Sequence, residues 1–373
     1  MITGLYELAW RPAAAIIRRT DPMTAHARTL SLLRLADGVP GAAALARTLH
    51  GRVTPAEPVY AGGVALPHPL IVAAGLIKGD GFDDEESALD AVRAGRDIVP
   101  GWRFGPALMG PVELGSYTRH PRLGNPGRVV WRDFDAGWMQ NRIGLRNPGA
   151  RAAAAHLARH AADLPAVFGL SLSVSPGLHD IGQSRDEVVE AASIFSAAFG
   201  GLEAGPSWYT LNLSCPNTED DPRGNQSAEL ACELCGALVP ALDAPLWVKI
   251  GPDLGDAQLA ALAEAFGAAG VAAVVATNTY AAPDPDGTGD AGVSGSRLRS
   301  RTLDTLVRLK RAIDDTGVPL DIVAGGGILG GADLRAYRDA GAVAAMVYTA
   351  LVLRGPLAGA LILREAATGG SDD

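Results

Sequence analysis

Amide, hydroxyl and lysine side chains cluster at four places near the ends of short apolar runs. Ala74-Gly75 is followed by Lys78, and a second run continues into NLSCPNT at residues 212–218. Lys249 lies near the end of a third run, and a fourth ends in TNT at residues 277–279. A lone asparagine in a strand is usually a satisfied structural amide. Four such clusters favour a shared ligand site, because the carboxyl ends of parallel strands meet at one edge.

From residue 69 onward, short apolar runs alternate with alanine-rich helical stretches, and these elements have to position the clusters. Such alternation is typical of βα units. The runs predicted as strands are residues 70–74, 112–115, 168–174, 209–214, 246–250, 273–276, 321–324 and 344–348. The predicted helices include residues 185–199, 228–242, 256–269, 301–313 and 332–339. These near-continuous apolar strands predict a parallel (β/α)8 TIM barrel, and a doubly wound open sheet is the alternative.

A glycine-rich turn follows the seventh predicted strand. The sequence AGGGI occupies residues 324–328, and the eighth strand ends in Tyr348-Thr349. In (β/α)8 barrels the loops after these two strands commonly hold a phosphate group with backbone N–H groups. A second small-residue loop, GVSG at residues 292–295, would let a cofactor approach the backbone. The spacing therefore predicts a phosphate-bearing ligand.

Composition and charge limit the class of protein. The 373 residues carry 32 Lys+Arg against 41 Asp+Glu, a net charge of −9, which argues against a nucleic-acid partner. A hydrophobic content of 48% is typical of a globular protein with a substantial core. No apolar run reaches the roughly 20 residues that span a bilayer. Three cysteines provide no disulfide framework. We expect a cytoplasmic protein.

The amino-terminal region differs from the rest in its charge. Residues 1–34 contain five arginines and two acidic residues. Apolar residues at helical spacing between Leu5 and Ile17 predict one amphipathic helix, and a second is predicted from Asp21. Such a pair suits a membrane interface, where an apolar stripe enters the lipid and arginines meet anionic headgroups. Packing of both helices on the main domain is the alternative.

These patterns predict three regions. They are a helical extension at residues 1–55, a barrel at 56–368 and a disordered tail at 369–373. Between Lys78 and Gly115 lies a segment that contains GWRFGPALMGP. It is longer than an ordinary βα connection of about 2–6 residues. We expect an insertion or a lid there.

Eight short motifs occur in a characteristic order: VAAGLIKGDG, NRIGLRNPG, NLSCPNT, VKIGPD, ATNT, VSG, GGGI and VYTA. In this order and spacing the chain resembles the dihydroorotate dehydrogenases, FMN-dependent barrel enzymes of pyrimidine synthesis. The resemblance covers nearly the whole chain. It implies an FMN site and oxidation of dihydroorotate to orotate.

The resemblance implies a substrate site and a flavin site. The residues at positions that bind the pyrimidine ring and its carboxylate are Asn141, Asn212, Asn217, Asn278 and Thr279, with Lys78 between substrate and flavin. The residues at FMN positions are Ala74, Gly75, Ser116, Ser171, Lys249, Thr277, Ser294, Gly295, Gly326, Gly327, Tyr348 and Thr349. Amides suit a planar ring edged with donors and acceptors because they supply both. Lys249 would stabilise the reduced, anionic flavin by its positive charge near N1 and O2.

Cys215 occupies the position of the family's base. Oxidation of dihydroorotate removes a proton from C5 while a hydride leaves C6 for flavin N5, so a base has to face one side of the ring. A thiolate can act there if its surroundings lower its pKa from about 8.5. Inert core packing is the alternative for a free cysteine. The resemblance also assigns Thr218 to catalysis.

The chain combines features of two classes within this family. DPMTAHARTLSLLRL at residues 21–35 is similar to the membrane-associated, quinone-using class, which has Ser as its base. The soluble classes have Cys and lack the extension. An extension costs ordering entropy, whereas Ser to Cys is one change. We therefore expect a quinone as electron acceptor, with fumarate or another acceptor as the alternative, and a peripheral position on the inner face of the cell membrane.

Three positions depart from the family pattern. Ser171 stands where the quinone class has an Asn, Ile77 replaces an acidic residue, and Leu145 replaces a Phe. These departures leave two alternatives open. One is an enzyme retuned to another cyclic dihydropyrimidine-like substrate or one of specialised metabolism. The other is a flavin-binding paralogue without turnover.

Two residue pairs look like metal ligands. Cys232 and Cys235 form a CxxC without a second pair, whereas zinc and iron–sulfur sites need four ligands. His156 and His160 lack the Glu of HExxH. We expect ordinary helix residues in the first pair, a solvated helix face in the second, and no metal.

Overall fold

The computed structural model describes residues 2–178, 180–214 and 226–369. Its helices are α1 (Ile2–Arg19), α2 (Pro22–Gly38), α3 (Ala42–Val53), α4 (Glu85–Arg93), α5 (Phe104–Met109), α6 (Ala150–Arg159), α7 (Ile181–Phe199), α8 (Ala228–Leu238), α9 (Asp256–Ala269), α10 (Arg299–Thr316), α11 (Gly331–Asp339), α12 (Thr349–Arg354) and α13 (Ala358–Thr368). Its strands are β1 (Val59–Ala61), β2 (Val64–Leu66), β3 (Leu70–Val72), β4 (Val112–Tyr117), β5 (Val130–Asp133), β6 (Trp138–Asn141), β7 (Phe168–Leu172), β8 (Trp208–Asn212), β9 (Leu246–Ile250), β10 (Ala273–Ala276), β11 (Tyr280–Pro283), β12 (Asp290–Gly295), β13 (Asp321–Gly325) and β14 (Ala344–Val347).

Eight of these strands close into a parallel barrel. Their order around it is β10-β13-β14-β3-β4-β7-β8-β9. Each occupies one of the eight predicted apolar runs, so the (β/α)8 prediction is confirmed and the open sheet is excluded. The continuous apolar runs follow from burial on both faces, against the barrel interior and against the surrounding helices.

Aromatic side chains fill the barrel interior at the amino-terminal ends of its strands. Trp208 and Trp247 are fully buried and stacked, with ring centroids 4.7 Å apart. The carboxylate of Glu113 accepts hydrogen bonds from Trp208 Nε1 at 3.1 Å and from the hydroxyl of Thr210. This packing makes the interior a core, so a ligand site has to lie above it.

A four-stranded antiparallel sheet in the order β11-β12-β6-β5 forms a second layer. Its strands lie in the connections that follow β4 and β10, and so belong to the carboxyl-end face of the barrel. Gln140 Nε2 ties β6 to β11 by donating to the carbonyls of Ala282 and Pro283 at 3.1 and 3.0 Å. We refer to this layer as the cap sheet.

The amino-terminal extension contains three helices rather than the two predicted. Helix α1 packs against α12: Tyr6 Oη donates to the carbonyl of Arg354 at 3.0 Å, and Trp10 Nε1 donates to the carbonyl of Leu353 at 3.4 Å. On α2, Asp37 accepts backbone N–H groups from residues 101, 103 and 104. Helix α3 packs on α5. All three helices are thus attached to the barrel domain.

These helices nevertheless expose apolar side chains. Leu8, Ile16, Leu32, Leu35 and Leu45 are each more than half exposed. Within the described part of the chain, no helix is long and apolar enough to cross a membrane.

The segment from Lys78 to Gly115, for which we expected an insertion or a lid, contains two helices that pack on other parts of the domain. Helix α4 starts at an Asp84 cap, which accepts the Ser87 N–H at 2.7 Å, and its buried face packs on α6 as in an ordinary crossover. Helix α5 packs on α3 through Phe104 and Leu108. The segment therefore connects the amino-terminal helices to the barrel.

The expectation of a solvated His156 is wrong. His156 is buried, its ring meets that of Trp102 edge-on at 5.9 Å, and its Nε2 lies 3.4 Å from Asp97 Oδ1. His160 is half-buried and stacks on Trp102 at 4.5 Å. The segment after α4 covers this face of α6, a long-range contact that helical spacing alone does not reveal.

The CxxC residues both lie on α8, as expected. Cys232 is exposed, and Cys235 is buried in the core. Burial raises the pKa of the Cys235 thiol to about 12, which makes it unreactive. Over the ranges that the structure describes, no group of three His, Cys, Asp or Glu side chains could hold a metal ion.

Candidate functional site

A chain of hydrogen bonds joins polar side chains from neighbouring barrel strands. Ser171 Oγ on β7 lies 2.7 Å from Ser116 Oγ on β4, and Asn212 Nδ2 on β8 donates to Ser116 Oγ at 3.3 Å. Asn278, after β10, donates from Nδ2 to Asn212 Oδ1 at 3.3 Å. We call these four residues the amide–hydroxyl network. They lie near the carboxyl ends of their strands, where the sequence predicted a site.

Further contacts orient Asn278 and Asn212. Asn278 Nδ2 donates to the carbonyl of Ser214 at 2.7 Å, and its Oδ1 accepts the N–H of Thr279 at 2.9 Å. Asn212 Oδ1 also accepts the N–H of Ser214 at 3.3 Å. The network is therefore anchored to the backbone of Ser214.

Two lysines belong to the same face. Lys249 on β9 is paired in register with Asn212 on β8. Lys78 is half-buried in the connection after β3, next to Ile77, whose carbonyl accepts the N–H of Gly115 at 2.9 Å. Both side chains have interaction partners in the protein. They give this end of the barrel positive charge beside neutral amides.

Small residues form the edge of the site at β3. Gly75 follows Ala74, donates its N–H to the carbonyl of Gly115 at 2.7 Å and has a φ of +110°. A Cβ added at Gly75 would meet only the ring of Tyr348, at 3.6 Å. This edge thus provides open space bounded by an aromatic ring.

The predicted phosphate side forms a compact turn. Gly326 and Gly327 follow β13 with φ values of +87° and +80°. A Cβ at Gly327 would lie 2.6 Å from the backbone Cα of Arg299, and both positive φ values favour glycine. Thr277 is buried after β10, and its Oγ1 lies 3.2 Å from Thr302 Oγ1.

The remaining predicted residues lie on the cap sheet and at the start of α12. Thr349 Oγ1, at the start of α12, donates to Ser294 Oγ on β12 at 3.0 Å. Gly295 ends β12, and Asn141 ends β6 opposite Gly292. Burial raises the pKa of Tyr348 to about 12, which keeps its hydroxyl neutral. These residues bring the cap sheet and the phosphate turn together.

Cys215, Asn217 and Thr218 lie outside the described residues. Their roles therefore stay predictions. The described residues predicted for the site all belong to the carboxyl-end face or to the cap sheet beside it. Each comes from a strand end or from the loop that follows it.

His26 on α2 was missed by the sequence analysis. Burial, with the nearby positive charges of Lys78 and Arg146, lowers the pKa of His26 to about 4. His26 is therefore neutral at pH 7 and lies near a residue predicted for the site. The only signal in the sequence was its position within the DPMTAHARTL stretch.

The hairpin of β11 and β12 contacts the predicted substrate loop, which the sequence did not reveal. Arg142, in the NRIG stretch after β6, has its Nη1 3.9 Å from Asp284 Oδ2. Asp284 also accepts hydrogen bonds from Thr288 and from the N–H of Asp286. These contacts connect the hairpin turn to the predicted substrate loop.

This arrangement suits a planar, polar ring. Side-chain amides and hydroxyls supply donors and acceptors at fixed positions, lysines supply positive charge, and the glycine turn provides a place for a phosphate. The glycine turn could hold the phosphate of a flavin, and the open space at Gly75 leaves room for its ring system. The residues present therefore fit a small polar ring beside a phosphate-bearing cofactor.

A protein-family model described as dihydroorotate dehydrogenase matches residues 103–368. A relative from Salinispora arenicola named dihydroorotate dehydrogenase (quinone) is 34% identical over 360 residues, covering 94% of this chain and 96% of the relative. A relative of the same name from Cereibacter sphaeroides is 33% identical, covering 92% of this chain and 88% of the relative.

The fold is similar to that of a solved structure, a DHODH from Eimeria tenella crystallised with ferulenol. The TM-score is 0.72 at 22% sequence identity, with 93% of this chain and 90% of that chain covered. At this identity the likeness supports the fold, barrel and amino-terminal helices included.

Proposed function

The chain belongs to the dihydroorotate dehydrogenase family, and from that premise we propose that it oxidises dihydroorotate to orotate with FMN and passes the electrons to a quinone. The family's enzymes are flavin oxidoreductases that act on a CH–CH bond. The observation that carries the substrate proposal is the amide–hydroxyl network, in which Asn212 and Asn278 are held next to each other.

The chain's own residues would perform three tasks. Asn212 and Asn278, with Asn141, Asn217 and Thr279, would hydrogen-bond the ring and its carboxylate, and Lys78 would lie between substrate and flavin. The orientation of the two amides is already set by backbone contacts at Ser214, which lowers the entropy cost of binding.

Cys215 would act as the base. Its thiolate would take the proton from C5 of dihydroorotate and form an S–H bond as the C5–H bond breaks. FMN, when bound, accepts the hydride that leaves C6. The substrate thus loses one proton and one hydride and becomes orotate. We also assign Thr218, three residues after Cys215, to catalysis.

FMN would be held along the edge from β3 to α12. Ala74, Gly75, Ser116 and Ser171 would contact the ring side, and Lys249 would stabilise negative charge at N1 and O2. The phosphate and its attachment would be held by Thr277, Ser294, Gly295, Gly326, Gly327, Tyr348 and Thr349.

A quinone would reach the flavin by way of the amino-terminal helices. Leu8, Ile16, Leu32 and Leu35 are apolar side chains exposed on the surface of α1 and α2, and neutral His26 on α2 lies near Lys78. An apolar surface with arginines suits attachment to the inner face of the cell membrane as a peripheral protein. This surface supports quinone over fumarate as the acceptor.

One observation favours a second candidate, oxidation or reduction of a different cyclic dihydropyrimidine-like substrate. Ser171 and Ser116 bond to each other at 2.7 Å. A hydroxyl pair stands here, whereas the quinone class has an Asn at the position of Ser171. A shorter side chain at this position would change the contacts available to a ring beside it.

The test is anaerobic mixing of the purified protein with dihydroorotate while the flavin absorbance near 450 nm, roughly the usual oxidised-flavin band, is recorded. Rapid bleaching is expected. A yellow protein that stays yellow would contradict dihydroorotate as substrate and support the second candidate, or a flavin-binding paralogue if no dihydropyrimidine bleaches it. A colourless protein that takes up no added FMN would contradict the cofactor.

A further inference from the structure

Arg354, the last residue of α12, contacts three separate elements. Its Nη1 donates to the carbonyl of Leu329 at 2.8 Å and to Glu365 Oε2 at 3.2 Å. Its Nη2 donates to Glu365 Oε1 and lies 3.5 Å from Glu7 Oε1. One guanidinium therefore connects α1, α13 and the loop before α11.

The backbone around Arg354 also receives α1. Tyr6 Oη donates to the carbonyl of Arg354 at 3.0 Å and accepts the N–H of Leu357 at 3.3 Å. Between them, Gly355 has a φ of +83°, and a Cβ there would lie 2.2 Å from Tyr6 Oη and 2.7 Å from the ring of Trp10. Only glycine lets the aromatic side chains of α1 approach this closely.

On its other side, Arg354 reaches the loop that leaves the phosphate turn. Leu329 lies two residues after Gly327. Glu365, which Arg354 binds, also accepts the N–H of Gly331 at 2.9 Å. The loop is thus held at two successive points by Arg354 and by its carboxylate partner. At its other end, α12 begins with Thr349, which bonds Ser294.

We propose that Arg354 is a positioning residue that couples the docking of α1 to the phosphate side of the flavin site, so that FMN is retained more tightly when α1 is docked. This inference rests on the FMN role proposed above. A bidentate guanidinium suits it, because the fork fixes two partners in one geometry and a lysine ammonium does not.

The first experiment compares Arg354→Met with the native enzyme. We expect FMN to leave the diluted holoenzyme about tenfold faster, because charge-assisted contacts to Leu329 and Glu365 are lost. With FMN in excess, the rate of flavin reduction by dihydroorotate should return to that of the native enzyme, since Arg354 touches no reacting atom. Arg354→Lys should recover part of the retention.

Arg335→Met is the matched control. Arg335 lies on α11 and donates to the backbone carbonyls of Glu365 and Ala366 at 2.8 and 3.3 Å. It therefore contacts α13, the helix that Arg354 also contacts. Unlike Arg354, Arg335 does not link α1 to the carbonyl of Leu329. Its substitution should leave FMN release unchanged. Equal FMN release from Arg335→Met and Arg354→Met would overturn the proposal.

Hydrogen exchange tests the coupling without FMN chemistry. Glu7→Gln removes the α1 carboxylate that pairs with the Arg354 guanidinium and leaves the Tyr6 bond to the Arg354 carbonyl in place, and Glu7 is 53% exposed, so the fold tolerates the change. Amides of residues 329–331 should exchange faster in Glu7→Gln and in Arg354→Met, but not in Arg335→Met. Unchanged exchange at 329–331 would overturn the coupling. If the native protein bound no FMN, the cofactor proposal would fail, while the exchange result would still decide whether α1 and this loop are coupled.

Discussion

The substrate end and the acceptor end of the proposed electron path are built in different ways. The amide–hydroxyl network comes from β4, β7, β8 and the turn after β10, and barrel strands hold its backbone in register. The amino-terminal helices are attached by separate side-chain contacts, such as Asp37 and Tyr6, and expose apolar residues.

This difference separates two kinds of requirement. Chemistry on a ring needs donors fixed to within a fraction of an ångström, which a closed barrel supplies. Contact with a lipid or a hydrophobic acceptor needs an apolar area rather than exact positions. Substitutions in the two regions should therefore affect different half-reactions, and Arg354 joins α1 to the loop after the phosphate turn.

Cys215→Ala should produce the largest effect. Loss of a general base slows its step by about 10²- to 10⁴-fold, so bleaching of the flavin by dihydroorotate should slow by that factor. FMN should stay bound. Stopped-flow absorbance under anaerobic conditions measures the rate, and Cys232→Ala, an exposed cysteine on α8, is the control. Near-native bleaching in Cys215→Ala would refute the base assignment.

Asn278→Ala should have the next largest effect. It removes the donor to Asn212 Oδ1 and to the Ser214 carbonyl, so the contacts that orient the Asn212 amide are weakened. Such a loss costs about 1–3 kcal/mol, so we expect kcat/KM for dihydroorotate to fall about 10- to 100-fold. Gln183→Ala, at an exposed amide on α7, serves as the comparison. Equal kcat/KM values for the two variants would mean that the network does not bind substrate.

Leu32→Glu tests the acceptor end. Leu32 is 66% exposed on α2, and a carboxylate there should disfavour insertion into lipid. Quinone turnover and vesicle binding should fall about tenfold, while flavin reduction by dihydroorotate stays unchanged. Val307→Glu, at a residue 54% exposed on α10, should change neither. Slower flavin reduction in Leu32→Glu would show that the two ends are not separable.

Asp37→Asn should have the smallest effect, seen in pH dependence. Burial, with a contribution from Asp97, raises the pKa of Asp37 from 3.8 to about 6. Between these values the folded state keeps a proton that the unfolded state loses, so this carboxyl's contribution to stability is present below pH 3.8 and is lost as pH rises through about 6.

The free energy of unfolding of the native protein minus that of Asp37→Asn should therefore decrease from pH 4 to pH 6, roughly the window between the two pKa values. Urea unfolding across this range measures it. His26→Gln gives the opposite sign, because the folded pKa of His26 lies at about 4, below its ordinary 6.5. Parallel pH curves for the native protein and Asp37→Asn would contradict the prediction.

The barrel was predictable because its strands are buried on both faces. Runs such as LWVKI and AVVA have no polar alternation, which is typical of a parallel sheet covered by helices on both faces, and eight such runs favoured the barrel over the open sheet. The strand ends then located Asn212, Lys249 and Thr277, because position along a buried strand determines the end of the barrel at which a residue lies.

The cap sheet was not predicted. Tyr280–Pro283 is a strand of four residues that alternates between intermediate and exposed positions, and a pattern so short does not differ from a loop. The third helix, α3, was also missed: it depends on packing of Ala43 and Ala46 against α5, a contact between distant parts of the chain. His156 was misassigned for the same reason, since its neighbour Trp102 comes from another segment.

The stacked pair of Trp208 and Trp247 below the site has an optical consequence. Tryptophan emits light in the range where an oxidised flavin absorbs, and energy transfer between such groups falls steeply with separation. Two indoles fixed in the barrel interior would lose emission when FMN occupies the mouth above them. Their intrinsic fluorescence would then report the fraction of protein that holds FMN, without an added label.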